Sequence, residues 1–309
     1  MKKGLNIKPP FDITSCAPWF IGYRKSAAVF LVFVITILVS GMHVAYAQSH
    51  RAEFKQVGLS RDSLSRIKAV LVVGPAEGTT KETIEQIHEI ALYLRKLGVK
   101  VTELYEPAAT WRSVVIASAG AHIFLYSGHG TSLGEIGTTG GFYLSGGDFI
   151  SAATISKELK LHKNALVIFK SVCMGAGSSA SDNSDIGIKV AIQRVSDYAY
   201  SFIKHGAGGY YANNYNNSIV PFLEAFFNRK SLKDAYKTTT GAFCRIEKTE
   251  VYMYKPDCRV SVASSEGSGY ATRTSVINGV KKVEKVPSFK EYEIAYVGNP
   301  SFSVIDFFR

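Results

Sequence analysis

The pattern of apolar and polar positions along the chain predicts short buried strands that alternate with amphipathic helices. Residues 68–73 form a nearly continuous apolar run that ends at a Gly-Pro pair, as a strand in a parallel sheet does. From residue 80 to 97 the apolar residues recur at helical spacing, and Gly98 then ends the helix. The same alternation predicts strands at 99–104, 121–126, 165–169, 207–212 and 293–297 and helices at 111–119, 151–161, 186–204, 219–228 and 232–243.

This alternation predicts an α/β fold in which a mostly parallel sheet is covered by helices on both faces. The C-terminal part has a different pattern. Residues 261–268 are small and polar, and they predict a loop. Asn278-Gly279 lies between Val276-Ile277 and Val280 and predicts a type I′ hairpin near 270–287. We therefore expect one domain over residues 66–309, with this hairpin in its C-terminal part.

The N-terminal segment has the features of a signal peptide. Residues 26–47 contain no charged residue, two basic residues precede them, and a small-x-small motif ends at Ala47. We expect cleavage after Ala47, which leaves 48–65 as an N-terminal lead. An uncleaved signal anchor is the alternative, because about 20 apolar residues can span a bilayer. Both interpretations place the rest of the chain outside the cytoplasm: secreted or periplasmic if cleaved, membrane-anchored if not.

The charge balance changes once this segment is set apart. The 309 residues include 36 basic and 25 acidic ones, a formal net charge of +11, which suggests an anionic partner. Five basic residues and one acidic residue lie in the first 47, so the remainder carries +7. That remainder has no run of Lys and Arg longer than two, and a nucleic-acid-binding stripe is not predicted. The only membrane contact that we expect is through an uncleaved N-terminal segment.

Three cysteines follow the N-terminal segment. Cys244 and Cys258 flank a segment that is able to fold back as a loop or hairpin, and an extracytoplasmic location permits disulfides. We therefore expect these two to pair. Cys173 is then a lone thiol, and an odd cysteine is a notable feature in a secreted protein. The histidines show no metal-ligand spacing, and no metal or cofactor is expected.

Reactive side chains follow two of the predicted strands. His129 comes just after the third strand, and Cys173 comes just after the fourth. Because the carboxyl ends of neighbouring parallel strands lie at one sheet edge, the two side chains form a candidate dyad. Cys173 is the expected nucleophile and His129 the general acid and base. The amide N–H groups of Gly130 and Cys173 are natural donors to an oxyanion.

These two strand ends resemble those of the caspase-like cysteine peptidases, the group that includes caspases, metacaspases, legumain, clostripain and gingipains. The matching segments are HIFLYSGHG, which ends at Gly130, and ALVIFKSVC, which ends at Cys173. The resemblance implies a three-layer α/β/α sandwich of the caspase/hemoglobinase type over residues 66–305. It also implies the same roles for His129, Cys173 and Gly130. The turn Gly298-Asn299-Pro300 looks like the Gly-Asp-Pro turn of gingipain-type domains, which favours a secreted bacterial relative.

The sequence departs from the resembled family at one informative position. Metacaspases and clostripain have an aspartate two residues before the cysteine, and that aspartate is tied to basic substrates. Ser171 occupies this position here. A preference for Arg or Lys is therefore not implied.

Other polar and aromatic residues are candidates for supporting roles. Two aspartates follow Cys173 in a Ser-rich loop, where they either bind a basic substrate side chain or solvate the loop. Two tyrosines end the fifth strand and either line a specificity pocket or pack in the core. Two glutamates at the end of the second strand either orient His129 or lie on the surface. The candidates are Asp182 and Asp185 in the Ser-rich loop, Tyr210 and Tyr211 on the fifth strand, and Glu103 and Glu106 at the end of the second strand.

The sequence favours a secreted cysteine endopeptidase that hydrolyses protein or peptide substrates through the Cys173–His129 dyad. Two alternatives stay open. One is a catalytically inactive binding module of the same fold. The other is a serine hydrolase, because residues 130–134 match Gly-x-Ser-x-Gly with Ser132 as the candidate nucleophile. The oligomeric state is not indicated by the sequence.

Overall fold

The computed structural model describes residues 59–76, 78–130, 140–215, 219–241, 244–266, 270–277 and 280–309. The predicted signal peptide, its cleavage site, Ser132 and the Asn278-Gly279 turn lie outside these ranges. None of the helices within them combines the length and the hydrophobicity that crossing a bilayer requires.

The described residues form seven α-helices and two short 3₁₀ helices, Ser145–Gly147 and Val304–Phe308. The longest helices follow the predicted hydrophobic spacing closely. The α-helices are α1 (Arg61–Arg66), α2 (Thr80–Leu97), α3 (Trp111–Ser118), α4 (Ala152–Glu158), α5 (Ile188–Ile203), α6 (Ile219–Phe227) and α7 (Leu232–Thr239).

Twelve strands accompany these helices. They are β1 (Lys68–Val73), β2 (Lys100–Tyr105), β3 (Ile123–Ser127), β4 (Phe142–Tyr143), β5 (Phe149–Ile150), β6 (Leu166–Lys170), β7 (Gly209–Asn213), β8 (Arg245–Val251), β9 (Arg259–Ser265), β10 (Tyr270–Ile277), β11 (Val280–Pro287) and β12 (Glu291–Gly298).

Eight strands form one sheet in the order β2-β1-β3-β6-β7-β12-β9-β8. The first five of this order are parallel to one another, and the last three pair antiparallel. Strands β10 and β11 form a separate antiparallel hairpin, where the sequence predicts one, and β4 pairs with β5. The carboxyl ends of β1, β3, β6 and β7 therefore meet at one edge of the sheet.

Helices cover both faces of this sheet because its central strands are apolar on both faces. Successive residues of each strand point to opposite faces, and each face has its own core. On β3, Phe124 and Tyr126 join a core with α3, α4 and α5. Ile123 and Leu125 of the same strand join a second core with α2, α6 and α7. The predicted three-layer α/β/α sandwich with a mostly parallel sheet is confirmed. It is consistent with the caspase/hemoglobinase-like architecture.

The prediction of a loop at 261–268 is wrong. Most of that segment belongs to β9, which lies between β12 and β8 in the main sheet. Ser261 and Ser264 are buried there, although their small polar side chains are typical of loops. The Ser261 hydroxyl has its hydrogen-bonding need met within the core, since it lies 2.8 Å from the Thr249 hydroxyl of β8.

The predicted disulfide between Cys244 and Cys258 is also wrong, because both thiols are free. Strands β8 and β9 do form the predicted fold-back. However, Cys244 precedes β8 at the open end of this hairpin, while Cys258 lies at its turn, opposite Tyr252. The length of β8 separates them by roughly 20 Å. They also belong to the cores on opposite faces of the sheet, and a disulfide needs Cα atoms within about 7 Å.

Candidate active site

The strands that precede His129 and Cys173 are direct neighbours in the sheet. Strands β3 and β6 pair in parallel, and their last partners are Ser127 and Lys170. His129 follows two residues after that level, and Cys173 follows three residues after it. The structure thus brings both loops to the same edge of the sheet, which is the geometry that the sequence predicts for neighbouring strand ends.

The two loops are in contact at Gly130. A β-carbon placed on Gly130 would lie 2.6 Å from Cγ1 of Val172 and 2.7 Å from the carbonyl oxygen of Cys173, and it would also overlap the Tyr198 hydroxyl. Real side chains never approach so closely, so only glycine permits this packing. The residue after His129 therefore lies directly against the residue proposed as nucleophile.

A tight turn presents Cys173. The amide of Gly175 donates to the carbonyl oxygen of Val172 at 2.9 Å, which closes a turn with Cys173 and Met174 at its centre. Met174 has φ of 65°, as the third residue of a type II turn does. Ser171 also has positive φ, 54°, and it turns the chain out of β6. Cys173 is half-buried, so its thiol is neither sealed in the core nor freely mobile.

The segment after this turn is fixed by bonds to three elements of the domain. The Tyr210 hydroxyl of β7 donates to the carbonyl oxygen of Gly175 at 2.9 Å. The amide of Tyr292 in β12 donates to the Ser178 hydroxyl at 2.8 Å. On α5, Arg194 donates to the carbonyl oxygen of Gly177 at 3.1 Å. These bonds hold the chain that follows Cys173 against the rest of the domain.

The backbone of His129 is held by the segment just after β1 and by β4. Its amide donates to the carbonyl oxygen of Pro75 at 3.1 Å, and its own carbonyl oxygen accepts from the amide of Tyr143 at 3.1 Å. The Tyr126 hydroxyl lies 2.9 Å from the same oxygen and 2.7 Å from the carbonyl oxygen of Tyr143. The side chain of His129 is exposed at the sheet edge.

The two amide groups that the sequence suggests for an oxyanion hole lie near this contact. Within the described residues, the amide N–H of Gly130 and that of Cys173 donate no hydrogen bond to the protein. Both belong to the loops that meet at the contact described above. Amide N–H groups aimed at a carbonyl oxygen stabilise the negative charge that develops on it. The oxyanion role of these two amides stays a prediction.

The structure corrects the prediction for Asp182. Its carboxylate is buried and accepts from both terminal nitrogens of Arg194, at 2.8 and 3.0 Å, and from the amide of Ser179 at 2.7 Å. This bidentate pair fastens the loop to α5 and leaves the carboxylate no access to a substrate. Asp185 is exposed and accepts from the amide of Gly187 at 2.8 Å, and its substrate role stays a prediction.

The two tyrosines of β7 are core residues rather than pocket-lining ones. Tyr210 and Tyr211 are both fully buried, on opposite faces of the sheet. Tyr211 stacks on Phe222 with ring centroids 3.8 Å apart, and its hydroxyl bonds to Thr239 at 3.0 Å. Tyr210 acts instead through its bond to Gly175. The predicted direct contact with substrate is therefore not supported for either ring.

Glu103 is placed away from His129. It pairs with Leu71 on β1, which in turn pairs with Leu125 on β3, four residues before His129 and roughly 13 Å back along the strand. Its carboxylate contacts the side chains of Tyr105, His88 and Arg95. Burial acts to raise the pKa of Glu103, but the hydrogen bonds from these three side chains and the charge of Arg95 outweigh it and lower the pKa below its usual value.

Glu106 follows β2 and is exposed near the same edge of the sheet as the dyad. Its role in orienting His129 stays a prediction. Among the described residues, no group of three His, Cys, Asp or Glu side chains lies close enough together to hold a metal ion.

Lys170 is a buried amine beside the site. Its ammonium donates to Oε1 of Gln86 on α2 at 2.7 Å and lies 3.3 Å from the Ser171 hydroxyl. Strand alternation turns it toward α2, on the face opposite Phe169 and Val167. Burial lowers the pKa of Lys170. The Lys170 amine therefore lies under the turn, on the α2 side of the sheet.

Sequence reasoning missed the residues that hold the Cys173 turn in place. Asn214, just after β7, and Arg194, on α5, bond to the loop, but they lie far along the chain from their partners. No local pattern marks such a residue. The proximity of Asn214 to Cys173 follows from one feature, the parallel pairing of β6 with β7.

Comparisons with known proteins give only remote likenesses. No family model and no curated protein matches the chain. A solved structure of the Arg-specific cysteine proteinase gingipain R shares 12% identity with a TM-score of 0.36, covering 81% of this chain and 64% of that one. This chain thus spans less than two thirds of the gingipain R chain.

A structure of CapF with the inhibitor 3-isopropenyl-tropolone shares 11% identity with a TM-score of 0.22, covering 76% of this chain and 93% of that one. Neither likeness supports a statement about this chain at such TM-scores. The assignment of the fold rests on its own topology, and the site on its own geometry.

Proposed function

We propose that this protein is a secreted cysteine endopeptidase in which Cys173 is the nucleophile and His129 the general acid and base. The observation that carries the proposal is the contact of Gly130 with the side chain of Val172 and the carbonyl oxygen of Cys173, which makes the His129 loop and the thiol turn neighbours. The resemblance of the two strand ends to caspase-like peptidases supports the same assignment. The N-terminal apolar segment supports location outside the cytoplasm.

The reaction follows from the groups at the sheet edge. His129 accepts the thiol proton, and the thiolate attacks the carbonyl carbon of the scissile peptide bond. The carbonyl oxygen takes the electron pair and is stabilised by the N–H groups of Gly130 and Cys173. When the C–N bond breaks, His129 gives its proton to the leaving amine.

Water completes the cycle. His129 removes a proton from a water molecule, which attacks the thioester carbon and releases the carboxylic acid half of the substrate. The thiol of Cys173 is thereby regenerated. The net reaction consumes one peptide bond and one water and requires no cofactor, and the proposed substrates are proteins or peptides.

The replacement Cys173→Ala tests the proposal. We expect hydrolysis of a peptide library by the full chain to fall at least about 1,000-fold, since only the oxyanion donors remain. The melting temperature should hardly change, because Cys173 is half-buried on a turn held by other residues. Cys258→Ala is the matched control, since it removes a thiol far from the site and should keep the activity.

Three outcomes are informative. Peptide hydrolysis that survives in Cys173→Ala contradicts the proposal. A wild-type chain that is folded, cleaves no peptide and leaves Cys173 unreactive toward a peptidyl electrophile indicates a binding module of the same fold. Labelling of Ser132 by a fluorophosphonate indicates the serine hydrolase alternative.

A further inference from the structure

The backbone pairing of β6 with β7 ends just before the thiol turn. Lys170 and Asn213 are the last paired residues, and the amide of Ser171 still donates to the carbonyl oxygen of Asn213 at 3.0 Å. The positive φ of Ser171 then turns the chain out of the strand. From this point the regular ladder of backbone hydrogen bonds does not continue to Cys173.

The side chain of Asn214 takes over where the ladder ends. Its Oδ1 accepts from the amide of Val172 at 3.1 Å, and its Nδ2 donates to the carbonyl oxygen of Val172 at 3.2 Å. A carboxamide has the same donor and acceptor as a peptide group, so it pairs with Val172 as a neighbouring strand would. Both backbone groups of the residue before Cys173 are thereby satisfied by one side chain.

Val172 connects the Asn214 side chain to the site. Its carbonyl oxygen also accepts from Gly175 and so closes the turn around Cys173. Its side chain is fully buried and packs against Gly130, the residue after His129. A shift of Val172 therefore moves the thiol and disturbs the contact with the His129 loop at the same time.

Asn214 is itself well anchored. Its backbone amide donates to the carbonyl oxygen of Glu293 on β12 at 2.7 Å, and its side chain is half-buried. The bond to β12 thus helps the sheet to position the carboxamide. A group fixed in this way is able to hold the turn with little loss of its own freedom.

We propose that Asn214 is the positioning residue of the site, and that it sets the place of the Cys173 thiol relative to His129 by clamping both backbone groups of Val172. This role rests on the proposed function. Asn214 contacts no reacting atom and acts only through Val172. The rate of thiol chemistry should depend on it, because a displacement of about 1 Å costs on the order of 100-fold in such reactions.

The first test compares three variants of the full chain in peptide hydrolysis. Asn214→Ala removes both bonds, and Asn214→Asp keeps the shape and the acceptor but replaces the donor by an oxygen that faces the carbonyl of Val172. We expect kcat to fall roughly 10- to 100-fold in both, with KM changed less than about threefold. Asn228→Ala, at an exposed asparagine after α6, is the control and should keep wild-type kinetics.

The second test measures the rate of Cys173 alkylation by iodoacetamide, resolved by peptide mapping. We expect the rate at pH 7 to fall several-fold in Asn214→Ala and Asn214→Asp, because the displaced thiol loses its proton acceptor. This reading is independent of any substrate. If the wild type cleaves no peptide, the proposed function fails, while the ratio of alkylation rates still judges the role of Asn214.

The proposal is overturned by any of three results. Wild-type kcat and alkylation rate in folded Asn214→Asp show that the clamp is not needed. A loss of folding in both variants shows a purely structural role. A rise in KM with unchanged kcat shows that Asn214 affects substrate binding instead of the position of the thiol.

Discussion

The end of β6 and the β8–β9 hairpin each carry cysteine, yet the two regions give the thiol opposite surroundings. Cys173 is half-buried on a turn where the chain has left the sheet, and its carbonyl oxygen lies against Gly130, the residue after His129. Cys244 and Cys258 are buried among apolar side chains on the two faces of the same sheet. The difference lies in position, since all three are free thiols in this structure.

Cys173, three residues past the end of β6, keeps part of its surface accessible, whereas the hairpin cysteines, at the two ends of β8, are packed away. Burial raises the pKa of Cys244 to about 12, with a further contribution from the Glu293 carboxylate. Burial also raises the pKa of Cys258 to about 11. The hairpin thiols therefore stay protonated at neutral pH and behave as small apolar residues.

Among the effects that follow from this comparison of thiols, the largest that we expect is the selectivity of alkylation. At pH 8 only about one in 1,000 Cys258 thiols and one in 10,000 Cys244 thiols is ionised in the folded chain. We expect iodoacetamide to label Cys173 at least about 100-fold faster than either, measured by peptide mapping over time. In denaturant all three should react alike. Labelling of Cys258 as fast as Cys173 in the folded chain would break the comparison.

The contact between the two loops gives the next effect in size. In Gly130→Ala the new β-carbon meets the carbonyl oxygen of Cys173, a backbone atom that no side-chain rotation can move away. We expect kcat/KM for peptide hydrolysis to fall about 100-fold as the turn is displaced. Gly241→Ala, just before the hairpin, is the matched control, because a β-carbon there meets nothing within 4 Å. Equal activity of both variants would show that the loop contact is not needed.

The smallest expected effect is that of a reducing agent on stability. Because Cys244 and Cys258 lie at opposite ends of the hairpin and on opposite faces of the sheet, no bond between them contributes to folding. We expect the melting temperature of the full chain to change by less than about 1 °C on adding dithiothreitol. A pairing of these two would close a loop worth on the order of 3 kcal/mol, so a drop of several degrees would contradict this structure.

Much of the central sheet follows from local pattern. The runs at β1, β3 and β6 are apolar on both faces because helices cover both, and such runs predict buried parallel strands without further information. The helix at Thr80–Leu97 is predicted to the residue by its spacing and by Gly98, whose φ of 98° ends it. The candidate dyad is identified in the same way, since His129 and Cys173 come directly after two of these runs.

Strand β9 and the roles of the supporting residues do not follow from local pattern. Ser261 and Ser264 have the composition of a loop, and only their position between β12 and β8 buries them. From the sequence, Asp182 is a candidate for substrate recognition. In the structure its carboxylate instead forms an ion pair with Arg194 on a different element. From the sequence, Tyr210 and Tyr211 are candidates for lining a pocket. In the structure the helices on the two faces of the sheet bury both.

The sequence by itself determined which strands are buried on both faces, where the long helices end, and which histidine and thiol lie at strand ends. These depend on periodicity and on single residues such as glycine, which act over a few positions. Only the tertiary structure decided that the hairpin thiols stay apart, that Asp182 binds Arg194, and that Asn214 clamps Val172. Such pairings join residues far apart in the chain, and they depend on which strands become neighbours.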